Sequence, residues 1–168
     1  MRELYILLIP YLSAISGVTC VQPFQNAKTP EPPYATVDIQ STQATGYITT
    51  GRDDSENTET KQRGFTFTVD INIYGRANKR MEAMDIAQTL LDGLEDHRRR
   101  TIALGDVMAF QDVISSPQDI TGLIANQNQP RVNLAMRWHT ARSITYDIDM
   151  VDTIEINDAA PFHTALTP

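Results

Sequence analysis

The stretch GFTFTVDINIYG, residues 64–75, decides the fold of this chain. Its apolar positions are Phe65, Phe67, Val69, Ile71 and Ile73, and its polar positions are Thr66, Thr68, Asp70, Asn72 and Tyr74. Successive side chains of a strand point to opposite faces, so strict alternation predicts a strand with one apolar and one polar face. The β-branched and aromatic residues that dominate it suit a half-buried sheet surface.

A helical period replaces the alternation directly after this strand. Between residues 78 and 96, apolar side chains recur three or four positions apart at Met81, Met84, Ala87, Leu91 and Leu94, with Leu90 beside them. Acidic and amide side chains occupy the other side. This spacing predicts an amphipathic helix. We expect its stripe of Met84, Leu91 and Leu94 to cover the apolar face of the strand.

Further strands are predicted on both sides of this unit. They lie at residues 18–21, 34–50, 101–113, 131–139 and 144–156, and a turn near Ala141 separates the last two. The polar residues 51–63 predict an exposed hairpin tip, and residues 115–130 predict a long connecting loop. The acidic residues of the hairpin tip lack the spacing of an EF-hand calcium loop, so a solvated loop is the better interpretation.

Length and composition limit the possible classes of protein. A chain of 168 residues is long enough for one domain with a sizeable core. Its net charge of −7 favours solubility and argues against broad nucleic-acid binding. The single cysteine, Cys20, excludes an internal disulfide and a cysteine metal cluster. No stretch is long enough to span a bilayer.

The N-terminal segment has two interpretations. Residues 1–20 resemble a secretory signal with a lipoprotein cysteine, although Gly17 and Thr19 do not fit such a signal. Alternatively, Leu4, Leu7, Leu8, Tyr11, Leu12 and Ile15 form one side of an amphipathic helix, which Gly17 ends and Pro10 bends. The helical spacing favours a retained helix that packs against the sheet or a neighbouring subunit.

Motifs of known chemistry are missing from the sequence. It contains no nucleophile elbow, phosphate-binding loop, zinc-protease helix or paired CxxC. The three histidines, His97, His139 and His163, are scattered, and Cys20 is interpreted as a buried hydrophobe. We therefore predict no catalytic residue, cofactor or metal. A small enzyme that uses Asp and His on the polar strand faces is the disfavoured alternative.

A compact basic cluster, Arg98, Arg99 and Arg100 after His97, stands out in this acidic chain. One interpretation is structural, because cations are favoured at a helix C-terminus. The other is a contact with a phosphate or an acidic partner. The structural interpretation is the favoured one, since so few residues do not indicate nucleic-acid binding.

The combined pattern resembles the tailed-bacteriophage neck and tail-terminator proteins. The resemblance rests on the first helix, on VQPFQNAKTPEPPYATVDI at 21–39, on FTVDINIYG at 67–75, and on QPRVNLAMRW at 129–138. It implies an α+β fold in which a mixed, mainly antiparallel sheet packs against a long helix and an N-terminal helix. Residues 1–156 would form one domain, followed by a C-terminal tail at 157–168.

The resemblance also implies a structural role in the virion, with assembly in the host cytoplasm. Such proteins form a ring, generally hexameric, that caps the tail tube and joins it to the head connector. The implied partners are further copies, the tail tube, neck proteins and, in a contractile tail, the sheath. Genomic DNA would pass through the lumen without sequence-specific binding, and no membrane is involved.

Some apolar residues lie in segments too polar to build a core, so a neighbouring subunit is the expected partner for them. The resulting interface candidates are Ile120, Leu123, Ile124, Phe162 and Leu166, together with Arg98, Arg99 and Arg100. The alternative function is an exported lipoprotein or a periplasmic binding module anchored through Cys20.

Overall fold

The computed structural model describes residues 2–24, 28–53, 58–105, 107–124 and 127–147. Three helices lie in these ranges: α1 (Arg2–Ser16), α2 (Glu82–Glu95) and α3 (His97–Leu104). The strands are β1 (Thr19–Val21), β2 (Tyr34–Asp53), β3 (Thr58–Tyr74), β4 (Met108–Asp119), β5 (Gly122–Ile124), β6 (Gln127–Gln129) and β7 (Arg131–Asp147).

Five of these strands form one sheet in the order β1-β2-β3-β7-β4. Only the β1–β2 pairing is parallel, so the predicted mixed, mainly antiparallel sheet is confirmed. The central pair β3–β7 keeps one register from Thr58 opposite Asp147 to Tyr74 opposite Arg131. Strands β5 and β6 form a separate two-stranded ribbon.

The apolar face of β3 is the centre of the core, as the alternation predicts. Phe67, Val69, Ile71 and Ile73 are buried, and helices α1 and α2 supply the opposite layer. The buried stripe of α2 consists of Ala83, Ala87, Leu90 and Leu94. Met84 and Leu91 are only partly buried at its margins, so of the three helix residues expected in the contact only Leu94 is central.

The prediction of a long helix after β3 is wrong. Helix α2 has 14 residues, and α1, with 15, is the longest in the described ranges. Before α2, the Glu82 carboxylate accepts a hydrogen bond from the Arg76 backbone at 2.7 Å and forms an ion pair with the Arg76 side chain, which holds a turn. After it, Asp96 is extended and caps α3 by accepting from the Arg99 backbone at 3.0 Å.

Several predicted boundaries around the later strands are also wrong. The strand expected from Thr101 begins at Met108, because residues 97–104 form α3. The loop expected at 115–130 is instead the end of β4 and the β5–β6 ribbon. The expected turn near Ala141 does not occur, since β7 continues to Asp147 along the extension of β3.

We call the outer part of β2, β3 and β7 the arm, defined as residues 46–53, 58–64 and 141–147. Most of the predicted hairpin tip therefore belongs to paired strands, up to Asp53 and again from Thr58. None of the described side chains of the arm is buried. The arm thus extends the sheet beyond its apolar core.

Helix α1 is part of the domain core, as its helical spacing predicts. Leu8, Tyr11, Leu12 and Ile15 are buried, and the hydroxyl of the partly buried Tyr5 donates to the Asp38 carboxylate at 3.4 Å. In the part of the chain that the structure describes, no helix has the length and apolar character needed to cross a membrane.

Candidate interaction surfaces

The polar face of the sheet, opposite the helices, carries a connected cluster of side chains. Asp70, Asn72, Asn133 and Arg131 lie on neighbouring positions of β3 and β7. The Asn133 amide donates to Asp70 Oδ1 at 2.7 Å and to Asn72 Oδ1 at 3.2 Å. Asn72 donates to the other Asp70 oxygen at 3.0 Å. The sequence does not reveal that these groups converge, because alternation along one strand gives no register between strands.

Arg131 extends this cluster towards two aromatic rings. Its guanidinium donates to Asn72 Oδ1 at 3.0 Å and lies 5.0 Å from the centroid of Tyr74, which stacks on Tyr34 at 4.6 Å. Burial raises the pKa of the Tyr34 hydroxyl. A groove of about 490 Å³ separates the cluster from residues 21–24 and 28–30.

This cluster is suited to holding strand ends rather than to catalysis. Both Asp70 oxygens accept from amide donors, and the neighbouring groups are amides, a guanidinium and phenol rings. Such a set contains no activated nucleophile and no acid–base pair of the kind that proton transfer requires. We therefore interpret it as a structural network on an otherwise open polar face.

The arm has a second notable surface, on the same side of the sheet as the helices. Arg63 and Arg142 lie directly opposite each other on β3 and β7. Both are exposed, and neither has an ionic partner among the described residues. Further along the arm on this face, Ile144 is 63% exposed, and Lys61 lies 5.0 Å from the ring centroid of Tyr146.

The interface candidates from the sequence do not form one group. Ile120 is exposed after the end of β4, where its backbone donates to the Arg131 carbonyl at 2.8 Å. Leu123 and Ile124 lie in β5. Phe162 and Leu166 fall outside the described residues.

The basic cluster divides into two parts. Arg100 is structural, because its guanidinium donates to the Leu94 carbonyl at the C-terminal end of α2 and lies 5.5 Å from the Phe110 centroid. This agrees with the structural interpretation for Arg100. Arg98 and Arg99 are exposed in the first turn of α3, so that explanation does not apply to them.

The two described histidines and the cysteine do not assemble a reactive site. His97 Nδ1 lies within hydrogen-bond distance of the Thr101 hydroxyl, at 3.0 Å. His139 lies on the polar face of the sheet, and His163 is outside the described ranges. Cys20 is buried in β1, and burial raises the pKa of its thiol. Among the described side chains, no three His, Cys, Asp or Glu residues are placed to share a metal ion.

Comparison with known families decides between the remaining interpretations. The phage neck terminator protein family matches residues 2–164, nearly the whole chain. The chain belongs to this family. Neck terminators are structural proteins of the phage neck and tail, which fits the absence of a recognised catalytic motif. Comparison with curated proteins gives no match.

The family assignment leaves the exported-module alternative without support. The family match includes α1 and continues through Cys20. In this neck terminator the side chain of Cys20 lies in the core. Its backbone N–H donates to the Ser13 hydroxyl at 3.0 Å, so β1 is packed against α1. Nothing in this geometry favours a lipid attachment point.

The arm of this neck terminator is not predicted by the sequence. The available signal was the continued presence of strand-forming residues, such as Ile48, Ile144 and Tyr146, inside segments that are polar overall. Polar side chains on both faces are expected of a strand that is solvated on both faces. From the sequence alone, that polarity predicts loops.

Proposed function

We propose that this neck terminator is a ring-forming subunit that caps the tail tube and joins it to the head connector. The observation that carries the proposal is the family match over residues 2–164. The arm supports it, because an unburied sheet extension with exposed apolar side chains is typical of a surface that another protein covers. Identical subunits joined head to tail close into a ring when the rotation per step permits.

The proposed ring is a hexamer located in the neck of the virion and assembled in the host cytoplasm. Its partners are further copies, the tail tube, the neck proteins and, if the tail is contractile, the sheath. The chain acts without catalysis. A net charge of −7 suits a ring through which DNA passes, because an acidic wall does not hold a polyanion.

The proposed subunit contacts use two kinds of residue. Ile120 is exposed and supplies apolar area, and we propose the same role for Leu123 and Ile124. Exposed Arg98 and Arg99 are proposed to contact acidic groups of a neighbour. Residues 157–168, the proposed C-terminal tail beyond a domain at 1–156, would contribute Phe162 and Leu166.

The test compares the full-length chain with a version that ends at Ile156, each alone and mixed with purified tail tube. Native mass spectrometry gives the stoichiometry, and negative-stain imaging shows whether the tube ends carry a ring. We expect full-length rings on tube ends and weaker assembly of the shortened chain. A chain that stays monomeric and does not bind tube would refute the proposal.

A further inference from the structure

We propose that, within the ring proposed above, the arm of one copy binds the outer face of α2 of the next copy. Arg63 and Arg142 on the arm would pair with the acidic stripe of α2. The inference therefore rests on the proposed ring and specifies which surfaces meet. It adds a charged contact that the sequence-based interface candidates do not include.

The first observation is an unfavourable arrangement on the arm. Arg63 and Arg142 occupy directly opposite positions on adjacent strands, where like charges destabilise a sheet. Some other charged side chains of the described chain do form local pairs, such as Lys61 with Glu59 at 3.3 Å within the arm and Arg137 with Asp112 at 3.4 Å. Two adjacent guanidinium groups that have no counter-ion among the described residues form a site suited to two carboxylates.

The second observation is a complementary surface on α2. Asp85, Asp92 and Glu95 are exposed at positions i, i+7 and i+10, which places them on one stripe of the helix. None of the three forms an ion pair with a described cation. Glu82 differs, since its carboxylate is used by Arg76 at 3.1 Å and Lys79 at 3.9 Å.

The spacing of the two surfaces matches. Cβ atoms directly opposite on antiparallel strands are about 4.5–5.5 Å apart. Side chains three residues apart on a helix, such as Asp92 and Glu95, have Cβ atoms about 5–6 Å apart. Two arginines of an arm can therefore each meet one carboxylate of a helix without rearranging either element.

A second copy of this chain is the partner that the structure favours. The α2 stripe lies opposite the buried stripe of Ala83, Ala87, Leu90 and Leu94, so it faces away from its own sheet. Among the described residues, no ion pair joins the arm to α2. Using different surfaces on the two copies makes the contact heterologous, which is the type that closes rings. DNA is the competing anion, but the net charge of −7 opposes it.

The experiment is a charge exchange in the full-length chain. One variant carries Arg63→Glu and Arg142→Glu, a second carries Asp92→Lys and Glu95→Lys, and a third combines all four changes. A control carries Arg2→Glu and Lys28→Glu, which lower the net charge by the same amount as the arm variant at exposed positions outside both surfaces. Circular dichroism checks that each variant is folded, and native mass spectrometry in the presence of tail tube measures assembly.

We expect the arm variant and the α2 variant each to lower the apparent association constant at least tenfold. The combined variant should recover most of the lost association, and the control should associate like the wild type. Unchanged assembly in the arm variant, or no recovery in the combined one, would overturn the inference while leaving the ring proposal intact. Duplex DNA binding that is lost in the arm variant with assembly unchanged would also overturn it. Wild type that neither assembles nor binds tube would overturn both proposals.

Discussion

The ring of Tyr11 contacts the indole of Trp138 edge-on, with the two centroids 6.4 Å apart. This contact joins α1 directly to β7, the strand beside the centre of the sheet. Phe110 of β4 contacts the same indole at 5.4 Å. The first helix is therefore packed into the same cluster as the central strands, and its loss would expose buried rings to water.

Shortening Leu8 tests this role of α1. Leu8 is fully buried, so Leu8→Ala should lower the free energy of unfolding by about 2–5 kcal/mol through lost burial and a residual cavity. Leu8→Asp should cost more because it buries an unpaired charge. The control Ile6→Ala, at a position 61% exposed on the same helix, should change stability by about 0.5 kcal/mol or less. Urea titration followed by the fluorescence of Trp138 measures all three, and equal losses at Leu8 and Ile6 would contradict the packing.

Neighbouring positions of β3 should respond unequally. Ile71→Ala removes a fully buried side chain and should destabilise by about 2–5 kcal/mol. Asn72→Ala should cost about 1–2 kcal/mol, because it leaves Arg131 and Asn133 without one acceptor on a half-buried face. Chemical denaturation compares the two. A loss at Asn72 as large as that at Ile71 would mean that the polar face is covered in solution.

Gly93 lies where α2 packs closely against Ile15 of α1. A Cβ built there lies 2.8 Å from the Cβ of Ile15, which is attached to the α1 backbone and cannot rotate away. Gly93→Ala should therefore destabilise by about 1–3 kcal/mol from overpacking, offset by up to about 1 kcal/mol of helix propensity. Thr89→Ala, at an exposed position of α2, is the control. Thermal unfolding shows whether Gly93→Ala lowers or raises the stability. A raised Tm would show that α1 and α2 are further apart than this contact implies.

The Arg63–Arg142 pair should cost the isolated chain stability. A single Arg142→Glu change creates an opposite-charge pair across β3 and β7 and should stabilise the monomer by about 0.2–1 kcal/mol. The same change should weaken assembly if the arm binds an acidic surface. Urea titration at dilute protein concentration measures the first effect. Destabilisation of the dilute chain would indicate that Arg142 has a favourable partner within its own copy.

The central packing of this fold was predictable because it depends on local periodicity. Alternation in β3 and the 3.6-residue period of α1 specify which side chains are buried, whatever their partners. The termination of α2 was less predictable, since Asp96 ends one helix and caps the next, and a continuous apolar pattern does not reveal such a change of direction.

The polar surfaces of the sheet were harder to predict, because they depend on strand pairing rather than on local periodicity. Ser143 and Arg142 lack the hydrophobic signal of a buried strand, and only the pairing with β3 makes them extended. The opposition of Arg63 and Arg142, and the convergence of Asp70 with Asn133, depend on the register between strands distant in sequence. A single sequence carries no information on that register once both faces are polar.

Cryo-electron microscopy of the virion neck tests the account most directly. We expect a ring of identical subunits at the head-proximal end of the tail tube. The five-stranded sheet, with α1 and α2 on one face, should fit each subunit, and the arm should reach the neighbouring copy. A neck without this chain at the end of the tube, or with it only as isolated copies that do not touch, would contradict the account.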